Sequence, residues 1–248
     1  MAIDYRPGQT TRHLFDRIAP RYDLLNRLLS FGIDRRWRRA AVQALALPAD
    51  ARVLDAATGT GDVALTVAAA HPRIQVVGVD LSANMLHAAR PKLGPARGRI
   101  SLVQGSCESL PLAAAVCDGA VIAFGIRNVI EREAALKEFY RVLKPGGRLV
   151  VLEFSRPTRP LLAGLYRCYS RHVLPRIGSL LSDGAAYRYL PDSVDVFPTR
   201  QAFLAMMQAA GFRQVRHHDL TGGIVTLYCG ARPVSDLCPR LSDSDRPA

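Results

Sequence analysis

The chain has 248 residues, of which 33 are Lys or Arg and 21 are Asp or Glu, so its formal net charge is +12 at neutral pH. That length suits one large domain or two small ones, and 49% apolar residues with 22% charged residues can build a sizeable core, which excludes a disordered or fibrous chain. No apolar run approaches the ~18 residues that a membrane span needs, and the N-terminal residues carry acids without an apolar signal core. We therefore expect a protein that neither spans a membrane nor is exported.

The cysteines and the net charge bear on the cellular location and on the partners of the protein. The five cysteines are odd in number, show no Cys-x-x-Cys pairing and have no His-rich neighbourhood, so neither a disulfide framework nor a metal site is expected, and a cytoplasmic location suits them. The positive charge comes from 30 Arg and 3 Lys spread along the chain. By itself this charge fits nucleic acid, anionic lipid or simple solvation about equally well.

The predicted secondary structure changes character near residue 50. Apolar side chains recur every three or four residues up to Leu29, and a second helical segment begins at Asp34, which predicts an N-terminal helical cap over residues 1–50. From residue 51, short runs rich in Val, Ile and Leu alternate with helical segments, which indicates βαβ units and a parallel sheet buried on both faces. Strands are predicted at 52–55, 74–79, 100–104, 119–124 and 148–154, and helices at 62–70, 82–93 and 131–143.

The C-terminal part departs from this alternation. Residues 157–198 form an amphipathic, basic insertion, which is typical either of a lid over the sheet or of a membrane-facing surface. A helix at 201–210, closed by Gly211, precedes two strands at 212–219 and 223–229 that we expect to pair antiparallel. The organisation is thus a cap that belongs to the same domain, a domain over 51–230 with the insertion, and a flexible tail over 231–248.

A glycine-bearing loop follows the first predicted strand, with the sequence DAATGTGD at residues 55–62. Gly59, Gly61 and Ala64 satisfy the pattern GxGxx(G/A), and Asp80 follows Gly61 by 19 residues, at the strand end where an acid binds ribose hydroxyls. The pattern suits either a nicotinamide dinucleotide or S-adenosylmethionine. A tight strand-to-helix turn capped by an acid is the structural alternative.

Two further acids favour S-adenosylmethionine. Asp55 at the strand end and Asp62 at the helix start would both approach a pyrophosphate, where a dinucleotide needs bare N–H groups and the positive end of the helix dipole. Like charges near 4 Å repel by about 1 kcal/mol in water and about 4 kcal/mol at an effective dielectric constant near 20. The ammonium and sulfonium groups of S-adenosylmethionine are instead attracted by these acids.

Several longer runs give the chain a family resemblance. They are FDRIA at 15–19, the loop at 55–62, FGIRN at 124–128, LEFSRP at 152–157, LPRIG at 174–178, YRYL at 187–190 and LTGG at 220–223. With these runs, roughly residues 12–230 resemble the class I S-adenosylmethionine-dependent methyltransferases, and more narrowly the quinone C-methyltransferases that make menaquinone and ubiquinone. The FGIRN and LEFS runs together are highly specific.

The resemblance implies a fold and an activity. The expected fold is α/β and Rossmann-like, with a mostly parallel seven-stranded sheet, an antiparallel C-terminal strand, helices on both faces and an N-terminal helical lid. The expected activity is C-methylation of a polyprenyl quinol ring, first of all demethylmenaquinol to menaquinol, with the ubiquinone-pathway methoxybenzoquinol as the alternative. The oligomeric state stays open, with a homodimer among the choices.

The cofactor positions combine the loop motif with the resemblance. The loop itself contributes Asp55, Gly59 and Gly61. The family's positions fall on Thr60, Asp80, Ser106, Cys107 and Ala123. Ser106 stands where the family usually has Asn or Asp, and Ala123 stands where a Ser is often found, so at these two positions backbone contacts are expected to replace side-chain contacts.

The predicted acceptor residues follow the fourth strand, at the edge where open α/β sheets bind ligands. Arg127 and Asn128 lie there, and Arg127 would hold a phenolate by a charge-assisted hydrogen bond. The alternative interpretation makes Arg127 an ion-paired residue at a helix start. Tyr22 would close the site from the first helix, or else serve in helix packing. No metal is required, and the sequence does not identify a general base.

Two rival functions and one further partner remain. A nucleic-acid methyltransferase is compatible with the charge, but the chain has neither the Asn/Asp-Pro-Pro-aromatic run nor the Pro-Cys nucleophile of such enzymes after the fourth strand, so no nucleic acid is expected. A non-catalytic binding module is the second rival. Because a polyprenyl substrate lies in lipid, we expect peripheral contact with the cytoplasmic face of a membrane. Residues 162–181, with Arg167, Arg171 and Arg176, are predicted to make this contact.

Overall fold

In the computed structural model of the chain, the described residues are 30–158 and 192–234, together with Asp16, Ala19, Asp23, Leu24, Arg27 and Gly164. Most of the first predicted helix and residues 159–163 and 165–191 of the insertion at 157–198 therefore lie outside the described residues, as does the tail beyond residue 234. No helix of the described part is long and apolar enough to cross a bilayer.

Helices and strands alternate through the described chain. The helices are α1 (Asp34–Ala44), α2 (Asp62–Ala70), α3 (Ala83–Ala89), α4 (Arg132–Val142) and α5 (Arg200–Ala209). The strands are β1 (Arg52–Ala56), β2 (Gln75–Asp80), β3 (Ile100–Gln104), β4 (Cys117–Ala123), β5 (Leu143–Phe154), β6 (Arg213–Leu220) and β7 (Val225–Ala231). Short 3-10 segments lie at Arg90–Gly98, Ile126–Asn128 and Thr221–Gly223.

Within the described ranges 30–158 and 192–234, the predicted strands and helices are confirmed, with three differences. The helix predicted at 82–93 ends at Ala89 and continues as a 3-10 segment, because Pro91 and Pro95 lack the N–H that an α-helix needs. Residues 144–147, between the predicted helix and the strand predicted at 148–154, belong to β5, whose first residue pairs with Cys117 ahead of a bulge. The strand β7 extends to Ala231, and the Arg232 guanidinium beyond it donates to three main-chain carbonyls, so the folded part reaches past the predicted start of the tail.

The sheet has seven strands in the order β3-β2-β1-β4-β5-β7-β6. Strands β1 to β5 pair in parallel, whereas β7 pairs antiparallel with both β5 and β6. This confirms the predicted mostly parallel sheet with an antiparallel C-terminal strand. The strand order reverses direction between β1 and β4, and such a reversal opens a crevice at the carboxyl ends of the strands.

Two apolar layers cover the sheet. Val53 of β1 packs with the buried residues of α1 and α2, while its neighbour Leu54 packs with those of α4 and α5. Successive side chains of a strand point to opposite faces, so a strand with both faces covered is a continuous apolar run. This is why β1, β4 and β5 were recognisable in the sequence.

Phe203 of α5 provides a test of the α4/α5 layer. It is fully buried, and its ring centroid lies 4.8 Å from that of Tyr228 and 5.2 Å from that of Phe197. We expect Phe203→Ala to lower the free energy of unfolding by ~3–5 kcal/mol through lost contacts and a residual cavity. Gln208→Ala, at an exposed position of the same helix, should change it by less than ~0.5 kcal/mol. Urea denaturation measures both, and equal effects would contradict this packing.

Candidate functional site

A cleft lies at the carboxyl ends of β1 to β4, where the strand order reverses. It encloses about 880 Å³ when open solvent is included. Open α/β sheets bind small molecules preferentially at this edge. Six of the predicted site residues line this cleft, namely Gly59, Asp80, Ser106, Cys107, Ala123 and Asn128. Asp55, Thr60, Gly61 and Arg127 lie behind the lining, and Tyr22 lies outside the described residues.

Asp80, at the end of β2, bridges two loops of the cleft by hydrogen bonds. Its Oδ2 accepts the Gly59 N–H at 2.7 Å and its Oδ1 accepts the Ser82 N–H at 2.8 Å, so it joins the glycine loop to the start of α3. A carboxylate has about four acceptor sites, which leaves capacity for hydroxyl groups of a ligand. Burial raises the pKa of Asp80 above its ordinary value, and the nearby Asp16 charge adds to this, while the backbone N–H groups oppose it.

Asp55 holds the glycine loop from inside the protein. Its Oδ2 accepts the Thr58 hydroxyl at 2.6 Å and the Ala64 N–H at 3.0 Å, so one carboxylate oxygen fixes both the turn and the first turn of α2. The loop then enters the helix through Gly61, whose φ of +80° favours glycine. Burial raises the pKa of Asp55 to about 7 from 3.8. A direct contact of Asp55 with a ligand stays a prediction.

Asp62 has cationic partners within the protein. Lys92 Nζ and Arg38 Nη1 both pair with its carboxylate, the second at 2.9 Å. Lys92 also pairs with Asp23, whose carboxylate accepts the Thr60 hydroxyl. The attraction that we expected between Asp62 and a cationic ligand is therefore shared with two side chains that sequence spacing did not single out, because they reach the loop from α1 and from the 3-10 segment after α3.

The residues after β3 form another wall of the cleft. Ser106 Oγ accepts the Glu108 N–H at 3.1 Å, and Glu108 Oε1 accepts the N–H groups of Ile130 and Glu131. Burial raises the pKa of Cys107 to about 12, so its thiol stays neutral and offers a small apolar contact rather than a nucleophile. Glu108 lines the cleft and was not singled out from the sequence.

Two residues that line the cleft have unusual backbone conformations. Ala57 after β1 has φ +50° and Phe124 after β4 has φ +58°, and both line the cleft. A bulky residue in this region costs ~1–3 kcal/mol and persists where its surroundings fix it. Gly125 is required beside them, because a Cβ there would come within 2.6 Å of the Ala57 Cβ.

Arg127 is buried and paired. Its Nη1 lies 2.8 Å from Glu153 Oε1 and donates to the Phe124 carbonyl at 2.5 Å, and its Nε donates to Ser193 Oγ at 3.3 Å. This is the ion-paired arrangement of the alternative interpretation, with Glu153, a residue of the LEFSRP run, as the partner. Contact between Arg127 and a phenolate stays a prediction.

An aromatic cluster forms around Phe124. The rings of Phe124 and Phe154 lie 4.6 Å apart, and that of Trp37 lies 6.1 Å from the first and 6.2 Å from the second. Trp37 Nε1 donates to Thr221 Oγ1 at 2.8 Å, which satisfies its polar atom. The cluster draws on α1, β4 and β5, so sequence spacing could not reveal it.

No group of three His, Cys, Asp or Glu residues suited to a metal occurs within the part of the chain that is described.

The raised pKa of Asp55 predicts a pH dependence. The folded protein keeps this proton up to about pH 7, whereas the unfolded chain loses it near its ordinary value of 3.8, so the folded state binds more protons in between. The contribution of Asp55 to stability is thus present at low pH and lost as the pH rises towards 7. Asp55→Asn keeps an acceptor oxygen but does not titrate.

We expect the free energy of unfolding of the unsubstituted protein, taken relative to Asp55→Asn, to fall by ~1.4 kcal/mol per pH unit in the middle of this window. Urea denaturation at pH 4.5, 5.5, 6.5 and 7.5 measures it. Parallel pH profiles for the two proteins would contradict a raised pKa.

Comparison with known proteins relates nearly the whole sequence to one family. The sequence model of the ubiE/COQ5 methyltransferase family matches residues 5–232. A Syntrophotalea carbinolica protein named ubiquinone/menaquinone biosynthesis C-methyltransferase is 78% identical over 94% of this chain and 98% of its own length. A Thermus thermophilus protein named demethylmenaquinone methyltransferase is 50% identical over 89% of this chain and its full length.

Solved structures share the fold at lower identity. The [4+2]-cyclase SpnF superposes with a TM-score of 0.70 at 19% identity, over 94% of this chain and all of its own. A Thermotoga maritima protein, described as an S-adenosylmethionine-dependent methyltransferase and possible histamine N-methyltransferase, gives 0.61 at 23% identity over 89% of this chain and 99% of its own. One fold thus hosts different reactions, so these likenesses concern the fold alone. The match over nearly the whole sequence shows that the chain belongs to the ubiE/COQ5 methyltransferase family.

Proposed function

We propose that the protein transfers a methyl group from S-adenosylmethionine to a ring carbon of a polyprenyl quinol, converting demethylmenaquinol to menaquinol. The observation that carries this proposal is a single cleft with two unlike walls. One wall has Asp80 and the glycine loop, and the other has Phe124 and Asn128. The names of the relatives support a quinone acceptor, and the Thermus thermophilus relative supports the naphthoquinol head group.

The cofactor wall suits S-adenosylmethionine. Asp80 would accept the ribose hydroxyls, and the Gly59 and Gly61 turn would let the methionine part approach the main chain. Ser106 and Cys107 would flank the adenine. Ser106 Oγ already caps the Glu108 N–H, and Ala123 has no polar side-chain atom, so both would contribute through the main chain or by packing.

S-adenosylmethionine supplies an electrophilic methyl group when it is bound. Overall, the S–CH₃ bond breaks, a C–C bond to the ring forms, the ring carbon loses its proton and S-adenosylhomocysteine remains. Asn128 would hydrogen-bond the quinol oxygen and favour the phenolate, which makes the ring carbon more nucleophilic. Arg127, which is paired with Glu153, would reach the phenolate only by turning towards the cleft. Tyr22 would complete this set from the N-terminal cap.

The main experiment compares acceptors for methyl transfer. Labelled S-adenosylmethionine is incubated with reduced demethylmenaquinone, with a reduced methoxybenzoquinone that lacks the ring methyl, and with bulk RNA. We expect label in the naphthoquinol above all. Label mainly in the benzoquinol would show that the acceptor is a benzoquinol rather than a naphthoquinol. Label in RNA would show that the acceptor is a nucleic acid, and cofactor binding without any product would indicate a binding module.

Asp80 allows a test of the cofactor wall. We expect Asp80→Ala to weaken S-adenosylmethionine binding by ~2–4 kcal/mol, because buried hydroxyls lose a charged acceptor. Asp50→Ala, which removes an exposed carboxylate paired with Arg73, should leave the affinity unchanged. Calorimetry on both folded variants measures this, and an unchanged Kd for Asp80→Ala would remove the ribose assignment.

A polyprenyl tail favours peripheral contact with a membrane, which we include in the proposal. The residues predicted for this contact, 162–181, lie outside the described part apart from Gly164. Within the described part, α1 has an exposed basic face of Arg35, Arg36 and Arg39, and among described residues none of the three has an ion-pair partner. The opposite face of this helix places Trp37 against Phe124 of the cleft, so a membrane at α1 would lie near the acceptor.

Vesicle sedimentation tests this contact. Replacing Arg35, Arg36 and Arg39 by Glu should abolish pelleting with anionic vesicles at low salt, since each Arg near such a surface contributes ~1 kcal/mol. The control replaces the exposed Arg90, Arg213 and Arg216 by Glu, with the same change in net charge. A further variant, with Glu at 167, 171 and 176, tests the insertion. If all variants pellet like the unsubstituted protein, neither surface binds the bilayer.

A further inference from the structure

We propose that Glu153 and Ser193 are positioning residues for methyl transfer, which hold Arg127 so that Phe124 and Asn128 keep their places on the acceptor wall. This inference rests on the proposed function for its kinetic consequence. Neither residue lines the cleft, so both would act through Arg127 rather than on the quinol.

Glu153 joins the carboxyl ends of β4 and β5. Its Oε1 accepts Arg127 Nη1 at 2.8 Å and the Phe154 N–H at 2.9 Å, while its Oε2 accepts the Arg127 N–H at 3.2 Å. The residue is fully buried, and a buried carboxylate is tolerated where hydrogen bonds and an opposite charge replace water. Glu153 therefore grips Arg127 at both its main chain and its side chain.

Arg127 passes this constraint to the cleft. Its Nη1 donates to the carbonyl of Phe124, and the Phe124 N–H donates to the Leu152 carbonyl at 2.7 Å. These two bonds fix both sides of a residue whose φ of +58° is unfavourable for phenylalanine. The guanidinium also lies over the Phe154 ring, 5.5 Å from its centroid. Without the Glu153 pair, we expect the loop at 124–128 to relax from this conformation.

Ser193 links the same loop to the chain that returns from the insertion at 157–198. Its Oγ accepts the Arg127 Nε–H at 3.3 Å, and the residue is fully buried. The neighbouring Phe197 is also buried and packs beneath the guanidinium of Arg132 at 5.7 Å. The Arg127 guanidinium thus contacts β5, the loop after β4 and the end of the insertion. The long hydrogen bond makes Ser193 the weaker of the two supports.

The first experiment measures turnover with a short-chain, water-soluble demethylmenaquinol. We expect Glu153→Gln to lower kcat by ~30-fold or more and Ser193→Ala by ~3-fold, with the Kd of S-adenosylmethionine within ~2-fold of the unsubstituted protein. Glu138→Gln is the matched control, because it breaks a Glu–Arg pair with Arg141 at 2.6 Å outside the cleft lining. It should leave kcat unchanged.

A kinetic cycle tests whether Glu153 acts through Arg127. If it does, Arg127→Gln combined with Glu153→Gln should lower kcat no further than Arg127→Gln alone. Multiplicative losses would mean that Glu153 acts independently of Arg127. Equal losses for Glu138→Gln and Glu153→Gln, in step with equal losses of stability, would mean that Glu153 has a structural role only. Either result overturns the proposal.

Hydrogen exchange tests the positioning without any substrate. In Glu153→Gln, main-chain amides at 124–128 should exchange at least ~10-fold faster than in the unsubstituted protein, while those of β1 and β2 keep their protection. Unchanged exchange at 124–128 overturns the proposal, whatever the acceptor is. If the unsubstituted protein methylates no quinol but the loop loses protection in the variant, the proposed function fails and the positioning role stands.

Discussion

The site depends on one constraint of the sheet, which is the reversal of strand order between β1 and β4. Parallel strands need crossover helices, and these helices cover opposite faces on the two sides of the reversal, α2 on one and α4 and α5 on the other. The loops that leave the carboxyl ends of β1 and β4 therefore diverge. The cleft occupies the space between them, so its place follows from the topology before any functional side chain is considered.

Buried acids fix the loops around this space. Asp55 is fully enclosed and holds the glycine loop by one oxygen, Asp80 joins that loop to α3, and Glu153 joins the ends of β4 and β5. These acids differ in the groups that stabilise the buried carboxylate. Asp55 and Asp80 accept hydrogen bonds from N–H and O–H donors, and Glu153 also has a guanidinium at 2.8 Å. The loops are thus held by fixed hydrogen bonds rather than by apolar packing alone.

This arrangement separates the two walls of the cleft. The wall with Asp80 and the glycine loop is held by hydrogen bonds to carboxylates of β1 and β2, and Lys92 and Arg38 pair with Asp62 at its helix. The wall with Phe124 and Asn128 is held from β5 and from the end of the insertion, through Arg127.

The sequence by itself determined the alternation of strands and helices, the mostly parallel sheet, and the family, because apolar periodicity and contiguous runs such as FGIRN are local properties of the chain. It also placed Gly59, Asp80 and Asn128 at strand ends, which the fold brings to one cleft. Only the tertiary structure decided that Asp62 is neutralised by Lys92 and Arg38, and that Arg127 faces Glu153 rather than the lining. Such pairings join residues up to 69 positions apart, as in the contact between Lys92 and Asp23, and no local spacing encodes which distant charges will meet when the chain folds.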